Sequence, residues 1–123
     1  MLTEKFLEVI SHEGVVSIIS WGKGEPHVVN TWNSYLTLTK DNKILIPAAG
    51  MVKTEANIKE NNKVKMTLGS KEVQGHFTQG AGFRLEGTVK FISSGEEYDM
   101  MKEKFPFLTR VLEITLTEVK QTL

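Results

Sequence analysis

Between residues 15 and 123 the chain passes through six to seven short stretches of alternating or β-branched residues, most of them cut off by a turn signal. VVSIISW (15–21) and PHVVNTW (26–32) flank the turn GKGE, and YLTLTKD (35–41) and KILIPAA (43–49) flank Asp41-Asn42. VKMTLGSKEV (64–73), GFRLEGTVKFIS (82–93) and VLEITLTEVKQTL (111–123) complete the set. A flat sheet of that many strands leaves two edges of unpaired backbone and one uncovered apolar face. Curling into a barrel removes both costs, so the pattern predicts a mainly β protein built as a small antiparallel barrel.

Three short helices fit around it. Residues 3–13 place Phe6, Leu7, Val9 and Ile10 on one stripe, with Thr3 as N-cap and Gly14 as stop. MVKTEANIKENN (51–62) reads as a second helix, and GEEYDMMKEKF, stopped by Pro106, as a third with acids first and lysines last. GHFTQGAG (75–82) reads as loop, and Gly87 in the middle of a long strand reads as a bulge or barrel corner. No repeat, low-complexity tract or linker interrupts the chain, so residues 1–123 are expected to form a single domain.

Fifteen Lys+Arg balance fifteen Asp+Glu, which argues against nucleic acid or an anionic membrane as partner. The absence of cysteine removes disulfides, thiolate metal sites and cysteine nucleophiles. The longest run without a polar side chain, ILIPAAGMV (44–52), is far short of the roughly 20 apolar residues of a membrane-crossing helix. With no secretion pattern at the N-terminus either, a soluble, cytoplasmic protein is expected.

Several motif matches fail. GKG at 22–24 lacks the third glycine and the helix of a dinucleotide fingerprint, and GHFTQGAG lacks the ending of a phosphate loop. His12, His27 and His76 have no metal-ligand spacing, so no metal site is expected; each remains a conceivable haem ligand. No residue is assigned a catalytic role.

Two segments carry more. In GMVKTEAN (50–57), Gly50 suits a tight turn, and Lys53 and Thr54 fall in the first turn of a helix, where unpaired N–H groups and the dipole favour an anion. The competing reading makes Thr54 an ordinary helix residue and Lys53 a solvated charge. In NTWNSY (30–35), the rings of Trp32 and Tyr35 stand among the hydrogen-bonding groups of Asn30, Thr31, Asn33 and Ser34, a mixture suited to a heteroaromatic ligand. Here the alternative is a polar turn with an aromatic cross-strand pair. A strand pair would set the two segments side by side, making a phosphorylated heteroaromatic the natural guest.

HxVNTWNSY (27–35), PAAGMxKTEAN (47–57), MTLGSK (66–71) and the terminal QTL (121–123) resemble the small FMN-binding proteins of sulfate-reducing bacteria. That group lies within the split-barrel flavin-binding superfamily of pyridoxamine 5′-phosphate oxidase. The resemblance implies a six- to seven-stranded antiparallel split β-barrel with two or three peripheral helices, one non-covalent FMN per subunit, and a homodimer whose interface lies beside the flavin. Carried over, it implies that Asn30, Thr31, Asn33 and Ser34 bond the flavin ring or ribityl chain. Ala49, Gly50, Met51, Lys53 and Thr54 would surround the phosphate, and Trp32, Tyr35 and the partner's Leu123 would pack around the ring. Glu13 would be a charge near the flavin. The family pattern has a tryptophan where this chain has Phe107, which supplies neither an N–H nor an equally good electron donor.

A pyridoxamine phosphate oxidase also needs a second anion site over the flavin, and Arg84 and Arg110 are the only arginines available to build one. The expected function is therefore electron transfer, with a redox protein as possible partner, or a small FMN-dependent oxidoreductase reaction. The alternative is a non-catalytic module that stores flavin or haem.

Overall fold

The computed structural model describes every residue from 1 to 123. Helix α1 (Glu4–Ile10) begins as expected: Thr3 Oγ1 accepts from the Phe6 N–H at 3.2 Å, and the helix buries Phe6 and Val9. Strands β1 (Val15–Ser20) and β2 (His27–Trp32) follow, then a single 3₁₀ turn over Asn33–Tyr35, β3 (Thr37–Leu38) and β4 (Lys43–Ala48). After α2 (Val52–Glu60) come the long strands β5 (Lys63–Gln74) and β6 (Gln79–Ile92), then α3 (Glu96–Lys104) and β7 (Arg110–Gln121).

All seven strands join one sheet in the order β2-β1-β5-β6-β7-β4-β3, and every neighbouring pair is antiparallel. The edge strands β2 and β3 share no ladder, so the sheet curls without closing. Ile18, Ile44, Met66, Leu85, Leu112 and Ile114 fill the inside of the curl, where Phe6 meets Phe83 edge-to-face at 5.3 Å. A second, smaller core of Leu45, Met101, Leu108 and Val111 lies under α3. β4 is therefore covered on both faces, which is why KILIPA reads as an unbroken apolar run rather than an alternating one.

Two elements differ from the sequence reading. Only Thr37–Leu38 of the 35–41 stretch pairs with β4, because Asn33 to Tyr35 form the 3₁₀ turn that redirects the chain out of β2. The expected loop over 75–82 shrinks to residues 75–78, closed by Gly75 N–H to Thr78 C=O at 2.9 Å. Close strand contact is served by Gly69 in β5, opposite Gly82 in β6: a Cβ on Gly69 would lie 2.9 Å from the Ala81 carbonyl oxygen. The bulge at Gly87 is present as a register shift against β7.

One charged group is buried in this sheet. Glu113 on β7, with its side chain 6% exposed, has Lys43 and Lys90 Nζ each at 3.7 Å from Oε1. Its hydrogen bond with Glu97 in the first turn of α3, together with burial and like charge, raises the Glu97 carboxyl above the ordinary range, against the opposing Lys43. A raised folded value means that Glu97 stabilises fully below its unfolded value, near 4.5, and that this contribution is lost as pH rises through the folded value. Glu97→Gln keeps a donor for Glu113 without the titration. It is expected to melt higher than the parent towards neutral pH and to flatten the pH–stability profile above that unfolded value; an unchanged profile excludes Glu97 as its source.

Candidate functional site

Beyond Ala48 the chain passes through two consecutive left-handed residues, Gly50 (φ 73°) and Met51 (φ 54°), before entering α2. Glycine adopts that conformation freely, whereas for methionine it costs about 1 kcal/mol. The first helical hydrogen bond runs from Glu55 N–H to Met51 C=O at 2.9 Å. The helix itself offers no acceptor to the N–H groups of Val52, Lys53 and Thr54, and those of Gly50 and Met51 donate to no backbone carbonyl.

Thr54 is 1% exposed, yet its Oγ1 has no hydrogen-bond partner. An orphaned buried hydroxyl costs about 1–3 kcal/mol, and native folds keep few of them. Placed beside unpaired N–H groups at the positive end of a helix, it fits an anionic oxygen. Lys53 is exposed at the same turn, and Ala49 lies open before it.

The second segment is more committed to the fold than its composition suggests. Asn33, 1% exposed, donates from Nδ2 to the carbonyls of His12 (3.0 Å) and Gly69 (3.3 Å), while its own N–H reaches the Gly14 carbonyl at 2.9 Å. Only its Oδ1 is left unpartnered. The Ser34 hydroxyl donates to Glu13 at 2.6 Å and the Ser34 N–H donates to the same carboxylate at 3.1 Å. These bonds, the hydroxyl's first, hold the Glu13 carboxyl below the usual carboxylate range. Asn30 Nδ2 donates to Ser17 Oγ at 3.2 Å, Thr31 is buried, and Trp32 is 44% exposed. Tyr35 joins Phe105 (5.2 Å) and Phe107 (5.6 Å) in an aromatic cluster, so Phe107 keeps a packing role.

The two segments are not joined by strand pairing: β2 pairs with β1, β4 pairs with β3 and β7, and β2 lies at the opposite edge from β3. Helix α2 spans the gap. It packs on β1, β2 and β6, Asn57 Nδ2 donates to Ser20 Oγ at 3.1 Å, and Asn61 Nδ2 donates to the Trp21 carbonyl at 3.2 Å.

Leu123 is held away from α2. Thr122 N–H donates to the Gly82 carbonyl at 2.8 Å, and Leu123 N–H donates to it at 3.3 Å, while the half-exposed Leu123 side chain lines a groove of about 350 Å³ with Val15, Leu68 and Phe83. Val15 faces Trp32 across the β1–β2 ladder. No cavity of the single chain includes Trp32, Tyr35 or Thr54.

Sequence reasoning missed the pair at the start of β7. Thr109 closes on the Ala48 carbonyl through its N–H (2.9 Å) and Oγ1 (3.2 Å), and Arg110 Nη2 donates to the Gly50 carbonyl at 2.6 Å. No local signal marks contacts across 60 residues of chain.

A curled, unclosed seven-stranded antiparallel sheet with peripheral helices defines a split-barrel protein. Residues 2–123 match the pyridoxamine 5′-phosphate oxidase family, and the chain belongs to it. It is 43% identical, over the full length of both chains, to the FMN-binding protein of Nitratidesulfovibrio vulgaris (strain DSM 19637 / Miyazaki F). The fold is shared with HupZ of Group A Streptococcus, at a TM-score of 0.82 and 18% identity over 99% of this chain and 94% of that one. An FMN-binding protein from Syntrophomonas wolfei superposes with a TM-score of 0.71 at 18% identity, over 88% and 76% of the two chains.

Proposed function

We propose that the chain is an FMN-binding flavoprotein that works as an electron-transfer protein or small flavin-dependent oxidoreductase, as a homodimer with the flavin near the interface. The observation that carries this reading is the buried, partnerless hydroxyl of Thr54 beside unpaired N–H groups at the start of α2. The full-length similarity to a relative named for FMN binding supports it. Bound FMN supplies the redox chemistry.

The chain's own residues bind and shield it. The N–H groups of the turn, Thr54 Oγ1 and the Lys53 ammonium neutralise the phosphate, and the exposed Trp32 with Tyr35 offers apolar surface to the ring. The open site of the single chain is covered by a second copy, whose Leu123 packs on the flavin. Both arginines are engaged, Arg84 with Glu86 and Glu118, and Arg110 with Gly50 and Thr109, which argues against a second anion site over the ring. A protein donor or acceptor is then the better redox partner than a phosphorylated substrate.

The deciding experiment is the visible spectrum of the purified protein. Flavin absorption released on denaturation supports the reading, a Soret band replaces FMN by haem, and a colourless protein that takes up no added FMN refutes it. Bleaching by a nicotinamide donor or a reduced redox protein separates redox work from storage.

Removing Thr122 and Leu123 is expected to weaken the dimer and shift the flavin's potential while leaving the monomer fold intact. The bonds lost, those to Gly82 and the one from Gln121 Nε2 to the Leu123 carbonyl, lie at the end of the β6–β7 ladder. Sedimentation and redox titration check this; if neither changes, the tail has no part in the site.

A further inference from the structure

We infer that Arg110 is a positioning residue for the anion turn, holding the Gly50 carbonyl so that the site prefers a phosphorylated flavin to an unphosphorylated one; this rests on the FMN reading above. The guanidinium is fixed from several sides. Nη2 donates to the Gly50 carbonyl and Nη1 to Thr109 Oγ1, each at 2.6 Å, and the guanidinium carbon lies 4.7 Å from the centre of the Phe91 ring. Glu55 Oε2 stands 3.4 Å from Nε, close enough to pair by charge but off the N–H direction, so no hydrogen bond forms there. Glu55 belongs to the first turn of α2, so one side chain grips the turn before the helix and the helix itself. The side chain is 18% exposed.

The consequence follows from the planarity of the peptide. In a trans peptide the carbonyl and the following N–H point in opposite directions. Drawing the Gly50 carbonyl to Arg110 turns the Met51 N–H away from it, and no backbone carbonyl accepts that N–H. Without the bond, the Gly50–Met51 peptide is free to rotate: Gly50 tolerates either hand, and Met51 gains by leaving the left-handed region. A rotated peptide offers the phosphate a carbonyl dipole in place of an N–H. Arg110 therefore acts on the ligand through the direction of this peptide, with one N–H of each terminal nitrogen committed to Thr109 or Gly50.

The test measures dissociation constants for FMN and for riboflavin, at low and high salt, in the parent, Arg110→Ala and Arg110→Lys. Arg110→Ala is expected to bind FMN about tenfold more weakly at both salts and riboflavin within about twofold of the parent. Arg110→Lys keeps the charge but not the planar fork, and is expected to stay nearer to Arg110→Ala than to the parent. Unchanged FMN affinity, equal losses for both flavins, a loss that vanishes at high salt, or full recovery by lysine each overturns the assignment. A parent protein that binds riboflavin as tightly as FMN refutes the phosphate site itself, a result distinct from any of these.

Discussion

Thr54→Val is expected to stabilise the flavin-free protein by about 1 kcal/mol and to weaken FMN binding by about 1.5–3 kcal/mol, roughly 10- to 150-fold. The opposite signs have one cause. Thr54 is 1% exposed with Oγ1 unpaired, so the empty protein bears the cost of a desolvated hydroxyl that only a ligand recovers. Valine fills the same volume without that group. Thermal melting of the apoprotein and flavin titration give the two numbers separately, with riboflavin as the control expected to move little. A less stable apoprotein means the hydroxyl already has a partner, and Thr54 then leaves the phosphate site.

The second large effect concerns the junction beneath NTWNSY. Gly14→Ala is expected to cost about 3 kcal/mol of stability, at the upper end for an added methyl in a tight site, and to lower flavin affinity with it. A Cβ there would lie 2.5 Å from the Gly69 carbonyl oxygen and 2.9 Å from Asn33 Nδ2. The backbone on both sides is fixed, since the Gly14 carbonyl accepts from Asn33 N–H and Asn33 Nδ2 bonds both His12 and Gly69. The displaced group is the turn that carries Ser34 and Tyr35. Denaturant unfolding reads the cost; a variant as stable as the parent shows that the junction yields without loss.

The strands were legible because their pattern is local: β1, β2 and β5 alternate or run β-branched between clear turns, and Gly87 announced its bulge. The fate of 35–41 was not, since Tyr35 and Leu36 suit a strand and the bonds that turn them aside reach from Asn33 and Ser34 to the loop before β1 and to Gly69 in β5. The helix start at Lys53-Thr54 was visible from Gly50 onward, and its burial of Thr54 was not, because burial depends on the whole curl of the sheet. Asn33 was readable as a polar group but not as a brace. Arg110 was visible as one of two arginines, but its hold on the Gly50 turn was not, for the plainest reason, a contact between residues 60 positions apart.

The unclosed seam between β2 and β3 gives α2 the work of a strut, since its N-terminus adjoins β4 while Asn57 and Asn61 tie it to the first hairpin. A guest seated at that N-terminus clamps the two sheet margins at once. Amide deuterium uptake in the first hairpin, far along the chain from Thr54, should then slow on saturation by a margin that tracks the guest's affinity.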